Sequence, residues 1–341
     1  MAEPSKEKAV SAALGLGAVW GLPQEGPCPR PGPGESVTAA LTYQGDDVPR
    51  GLDPTGLVKT FRDGSGSDGE YIGCDFVRRD VQMTNGRGGG HTLDEHGFTL
   101  VDDAREHIDY KNDDEILNQY YPACAELVKK TLGASEVYAF DHNVRSAQLK
   151  RSSEDLKGGN AVQAPLFFIH NDYSRNSAPR RIRDLTSPPK FNDTLRKVLG
   201  DTPLIDPARV DELMARRWAF VNVWRNIKTT PVQMLPLGMC EGATVSTEDI
   251  VTFEIHYKDR VGENYFSRHA ASHKWVYFPD ATRDEAILLK CWDSAGKDFA
   301  PTGCEKTVPA TFSLHTAFED PSTTPDADDR ESIEVRTIAF F

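Results

Sequence analysis

From Val137 onward the chain repeats one texture, short runs of β-branched and aromatic residues separated by turn residues. The runs are VYAFDHNVR, APLFFIHNDYS, RWAFVNVWRN, IVTFEIHYK, KWVYFPD, EAILLKCWDS, ATFSLHTAF and ESIEVRTIAFF. A strand so short cannot bury its apolar side chains alone, so these runs must pair into sheets that pack as a sandwich or close into a barrel. The spacing therefore predicts a mainly β fold with flanking helices. One helix is expected in NDDEILNQYYPACAELVKKTLG, from Asn112, which opens acidic, carries apolar residues at helical spacing and closes on Gly133. PKFNDTLRKVLG suggests a weaker one. VTAALTYQ reads as an early strand, and GLPQEGPCPRPGPGES, Gly21 to Ser36, as an extended strap. The expected organisation is a leader or strap over 1–36 and a single domain over 37–341. Within that domain, a helical and strand extension (37–136) precedes the β core (137–341).

Charge and cysteine usage narrow the partners. A formal net charge of −13 disfavours a nucleic acid, whose binding requires clustered Lys and Arg to displace counter-ions. A small molecule is the expected partner. The six cysteines include no CxxC pair, which suits free thiols in a reducing, cytoplasmic setting. No run approaches the roughly 18 apolar residues of a membrane span, so no membrane partner is expected. A domain of this length is compatible with a monomer or a homodimer.

Chemistry concentrates in three stretches. LFFIHNDYS runs four apolar residues into His170, Asn171 and Asp172. If it is a strand entering a loop, His170 and Asp172 project to one side, offering one nitrogen and one oxygen to the same ion. ATFSLHTAFEDP supplies a third donor, His315, at the end of another expected strand. Two histidines and one carboxylate form the facial set that holds non-haem Fe(II) with positions left open. Fifteen residues after His315, RESIEVR places Arg330, Ser332, Glu334 and Arg336 on one strand face, with Ile333 and Val335 on the other. A buried Arg with a Ser two residues on can grip a carboxylate through a guanidinium fork and a hydroxyl. An exposed edge strand with a solvated charge ladder is the alternative. Arg145 in FDHNVR and Arg225 in NVWR, with His142 and Asn222, are candidates for a substrate's carboxylate, against structural ion pairs as the alternative. Trp218, Trp224, Trp275 and Tyr277 read as core, and His91, His96, His107, His256, His269 and His273 as surface or structural residues.

The order His-x-Asp, distant His, Arg-x-Ser resembles the Fe(II)/2-oxoglutarate-dependent oxygenases. FDHNVR, HNDYS, NVWR, HKWVYFPDATRDEAILLKCWDS, LHTAFEDP and RESIEVR, in that order over about Gly97 to Phe341, are similar to a fungal secondary-metabolism group related to gibberellin desaturases and aspergillic-acid hydroxylases. The resemblance implies a double-stranded β-helix, a jelly-roll or cupin-like core. It implies His170, Asp172 and His315 as the metal ligands that carry the chemistry, with Arg330, Ser332 or Arg336 on the cosubstrate. Fe(II), 2-oxoglutarate and O2 would be required, with ascorbate as assay reductant. Within the group, the chain resembles enzymes that oxidise a branched-chain amino acid and close an aziridine, in which case Ile338 and Phe340 would line the pocket. Three alternatives stay open: a hydroxylase or desaturase of a larger fungal scaffold, a cupin-like non-catalytic binding protein, and a zinc hydrolase.

Overall fold

The computed structural model describes residues 27–62, 68–105, 108–146, 165–191, 193–258, 260–300 and 306–341. Much of the expected strap and the segment just before LFFIHNDYS lie outside them. Alternating buried and exposed positions make VTAALTYQ half-buried, and it forms β1 (Ser36–Gln44). Next come β2 (Lys59–Phe61), β3 (Phe76–Asn85), β4 (Phe98–Asp102), β5 (Glu136–Ser146), β6 (His170–Asn171), β7 (Trp218–Asn226) and β8 (Leu237–Cys240). The chain ends with β9 (Ile250–His256), β10 (Val261–Ser267), β11 (Trp275–Tyr277), β12 (Glu285–Asp293), β13 (His315–Ala317) and β14 (Glu331–Phe340).

These strands make two sheets, one ordered β1-β3-β11-β8-β13-β6-β10-β9-β2 and one ordered β4-β12-β7-β14-β5. One hydrophobic core draws side chains from both, in keeping with the jelly-roll core that the resemblance implies. β1 and β3 pair over their whole length and join the larger sheet through β11. β14 lies between β7 and β5. It is therefore an interior strand, and the edge-ladder alternative for RESIEVR fails.

The predicted helix from Asn112 forms in three parts. The Asn112 side chain accepts from the Asp114 N–H, capping a turn at Asp113–Glu115. The chain then widens to π-helical over Ile116–Tyr120 before α1 (Tyr121–Leu132). The wide turn falls just ahead of Pro122, which has no N–H to donate and would crowd a regular preceding turn. Gly133, at φ 67°, closes α1 in a left-handed conformation that favours glycine. Tyr121, Cys124 and Val128 form the buried stripe of α1, which packs on β5, β7 and β14. The weaker helix reduces to one turn, Arg196–Leu199, and α2 (Ser177–Asp184) was not legible from spacing.

Two expected strands are shorter than their sequences suggest, because their backbones change partners. In LFFIHNDYS, Leu166 O accepts from Ala317 N, Ile169 N donates to Thr42 O, and only His170 and Asn171 pair with β10. In ATFSLHTAF, Ser313 N donates to Lys290 O while Leu314 O accepts from Cys240 N, so the segment passes from one sheet to the other before β13. Both histidine-bearing stretches are thus corners tied to several strands.

Between α1 and the five-stranded sheet lies Arg225, which is fully buried. Nε donates to Tyr120 Oη, Nη1 to the Asp103 and Arg283 carbonyls, and Nη2 to the Asp103 carboxylate. Every donor is directed into the protein, so Arg225 is a structural pin and not a substrate contact. Removing one partner of such a pair strands a buried charge, so Arg225→Ala should lower the unfolding free energy by about 3–5 kcal/mol in urea titrations. A loss within experimental error of zero would refute this role.

Candidate active site

His170 and His315 face each other directly in register across β6 and β13, with ring centroids 4.3 Å apart. His170 Nδ1 lies 3.0 Å from Phe168 O, and His315 Nδ1 lies 3.1 Å from Ser313 O. A carbonyl can only accept, so each Nδ1 carries the proton and each Nε2 is left with a lone pair, the tautomer a metal ligand needs. Burial, then the facing His315, push the His170 pKa down to about 3, which keeps this imidazole neutral.

Asp172 completes the set. Asn171, between the two ligands, donates from Nδ2 to Tyr173 O and Cys291 O, at 2.6 and 2.9 Å. Those bonds pin the turn that delivers Asp172 from β6 toward the opposite sheet. Ligand atoms of His170, Asp172 and His315 all lie within 4.8 Å of one another. Asp172 Oδ1 is 3.7 Å from His170 Nε2, while Oδ2 accepts from Asn222 Nδ2 at 2.9 Å and Arg336 Nε at 3.3 Å. Burial alone would raise the Asp172 pKa. Arg336, His315, His170 and the Asn222 amide override it and hold the carboxyl below its ordinary range. Two imidazoles and one ionised carboxylate fit a divalent, iron-type ion.

A cavity adjoins the two histidines and is also lined by Arg145, Trp224, Arg330 and Glu334. Arg330 is 5% exposed and sits 5.7 Å from the centre of the Trp224 ring. Its Nη1 donates to Leu235 O, but its Nε has no partner among the described residues, and neither does the Ser332 Oγ, which is also buried. Burial, then the neighbouring Arg145, push the Arg330 pKa down to about 9. A buried guanidinium beside an unpartnered hydroxyl is short of one anionic ligand, and a carboxylate satisfies both.

Not every predicted residue joins this site. Arg145, opposite Ser332 in register, lines the cavity. His142 does not, because it pairs with Val335 on the other face of the sheet, where its Nδ1 is 2.9 Å from Tyr121 Oη. Asn222 acts on Asp172 and is not a cavity-lining residue. Arg336 is likewise displaced from the cosubstrate role, since its guanidinium is engaged by Asp172 and Asp141. Ile338 and Phe340 share the inner face but stand opposite Phe220 and Trp218, fully buried and away from the cavity lining, so they are core. Trp224 and Glu334 are among the cavity residues given no such role above. Their signal was the parity of β7 and β14, which puts them on the same face as Asn222 and Arg330.

A second cluster, His91, His96 and Glu241, also gathers ligand atoms within 4.8 Å. There the Thr92 N–H donates to His96 Nδ1 at 3.1 Å. That bond already engages one of the nitrogens the cluster would offer an ion.

Residues 63–340 match the family described as "Oxidoreductase/YMDC permease-like domain". Among the described residues, no helix is long and apolar enough to cross a membrane. An uncharacterised protein of Methylophilus leisingeri is 34% identical over 199 residues, covering 56% of this chain and 91% of that protein. The α-ketoglutarate-dependent dioxygenase phiK of a fungal species is 28% identical over 288 residues, covering 82% of this chain and 92% of phiK. The solved iron and α-ketoglutarate-dependent endoperoxidase NvfI superposes with a TM-score of 0.66 at 20% identity, over 90% of this chain and 98% of NvfI, a likeness of fold. Sequence, fold and ligand set converge, and the chain belongs to this oxidoreductase family, among the Fe(II)/2-oxoglutarate-dependent oxygenases typified by fungal secondary metabolism.

Proposed function

We propose that His170, Asp172 and His315 hold the iron, that Arg330 and Ser332 bind the distal carboxylate of 2-oxoglutarate, and that the substrate is a branched-chain amino acid closed oxidatively to an aziridine. The chain's class is Fe(II)/2-oxoglutarate-dependent dioxygenase, with Fe(II), 2-oxoglutarate and O2 as requirements. One observation carries the cosubstrate assignment: the unpartnered Arg330 Nε and Ser332 Oγ belong to the strand face that fronts the cavity shared with both histidines. Neither a zinc hydrolase nor a non-catalytic binding protein accounts for such an anchor.

When bound, the iron with 2-oxoglutarate and O2 supplies an oxidant able to remove hydrogen from an unactivated carbon. The protein's part is placement. The backbone carbonyls of Phe168 and Ser313 orient the two imidazoles. Arg330, with Trp224 beneath it, fixes the far end of the cosubstrate so that its 2-oxo acid end points toward the histidines. Arg145 and Glu334 bring opposite charges to the same modest cavity, a complement to a zwitterion's carboxylate and ammonium. Ring closure removes two hydrogens from the substrate. The balance is met by O2 and 2-oxoglutarate leaving as water, succinate and CO2. Hydroxylation or desaturation of a larger fungal scaffold is the second reading, supported by the kinship with phiK.

Purified protein given Fe(II), ascorbate and 2-oxoglutarate in air should form succinate several-fold faster with one branched-chain amino acid present. Chelation or His170→Ala should abolish that stimulation. Stimulation only by a large apolar metabolite would select the second reading. Losing a charge-assisted carboxylate contact costs roughly 1.5–3 kcal/mol, so Arg330→Gln should raise the KM for 2-oxoglutarate by about 10- to 150-fold. An unchanged KM would remove Arg330 from the cosubstrate site.

A further inference from the structure

Arg336 lies on β14, six residues after Arg330, yet stands outside the cavity lining, and its contacts explain why. Nε donates to Asp172 Oδ2 at 3.3 Å and Nη1 to Asp141 Oδ2 at 2.8 Å. Asn222, directly opposite Arg336 on β7, donates to that same Asp172 Oδ2 at 2.9 Å. Two donors from neighbouring strands therefore load one carboxylate oxygen, while Oδ1 is the oxygen 3.7 Å from His170 Nε2. A β-bulge sets up the far end of the chain of contacts. Arg336 pairs with Asp141 and Thr337 with Ala139, so Phe140 is the extra residue, and bulges of this kind re-aim a side chain.

We propose that Arg336 and Asn222 are positioning residues that hold Oδ2 of Asp172 away from the ion, so that the carboxylate offers Oδ1 alone, with Asp141 bracing Arg336 from behind. This rests on the iron site proposed above. The physical reason is a count of positions. Two imidazoles and one carboxylate oxygen leave three of six places, two for a 2-oxo acid and one for O2. A carboxylate free to rotate can bind a cation through both oxygens and consume one of them. Arg suits the task better than Lys, because its planar fork can contact Asp172 and Asp141 at once from fixed directions.

The test uses Co(II) as probe on the metal-free full chain without O2, measuring Co(II) Kd by calorimetry and the Co(II) absorption spectrum. The Kd for 2-oxoglutarate is then measured at saturating Co(II). Loss of an outer partner to a ligand should weaken Co(II) binding roughly 10- to 100-fold in Arg336→Gln and in Asn222→Ala, with an altered Co(II) spectrum, and any rise in 2-oxoglutarate Kd should accompany that change and never replace it. Arg336→Lys should restore only part of the loss. Asn222→Ala removes one neutral donor and keeps the test open if Arg336→Gln does not fold, as judged by circular dichroism. Wild-type Co(II) affinity and spectrum in Asn222→Ala and any folded Arg336 variant would overturn the proposal. So would a 2-oxoglutarate defect with normal Co(II) binding, which would make Arg336 a cosubstrate ligand. Full Co(II) binding by His170→Ala would instead sink the iron site itself, an outcome separable from both.

Discussion

A buried carboxylate that must stay ionised governs the architecture around this site. Asp172 lies between two sheets, where burial favours its neutral form, and it stays charged because Arg336 and the Asn222 amide converge on one of its oxygens. Those donors come from adjacent interior strands, β14 and β7, whose register is fixed along nine residue pairs. The placement of the Asp172 carboxylate is therefore tied to the sheet that carries its donors. Asn171 closes the arrangement from the other side by tying the Asp172 turn to β12 through the Cys291 carbonyl.

That dependence separates two arginines that look equivalent on paper. They stand six residues apart, Arg330 just before β14 begins and Arg336 within it. Arg330 lies over the Trp224 ring and lines an open cavity, and its guanidinium keeps an unused donor. At the height of Arg336 the neighbouring strand offers Asn222, with Asp172 and Asp141 in reach. One arginine keeps an unpartnered Nε, and the other is already engaged by carboxylates. Arg225 is a third case: it faces the opposite side of its sheet and is saturated by backbone carbonyls and Asp103.

The same parity argument accounts for what was legible and what was missed among the candidates. His142 and Arg145 were grouped because they share FDHNVR, but an odd separation on a strand sends them to opposite faces, and only Arg145 reaches the cavity. Asn222 and Arg225 divide in the same way. Trp224, an even step from Asn222, belonged on the inner face by that rule and was read only as core. The stretches around His170 and His315 resisted the opposite simplification. Each looked like an extended strand, yet each exchanges backbone hydrogen bonds among several strands, which no local pattern of apolar residues reveals.

The chain's own residues determined the β class, the helix between Asn112 and Gly133, the two histidines and one aspartate, and the shared face of Arg330, Ser332, Glu334 and Arg336. These depend on side-chain chemistry and on periods of two or 3.6 residues, which are local properties. Only the tertiary structure decided that β14 is interior, that Arg330 faces a cavity while Arg336 faces Asp172, and that His142 and Arg225 serve the framework. Those outcomes depend on strand order and register, which bring Arg336 to a carboxylate 164 residues earlier in the chain. Pairing over such separations is set by how whole sheets bury their inner faces, and no short stretch of sequence encodes it.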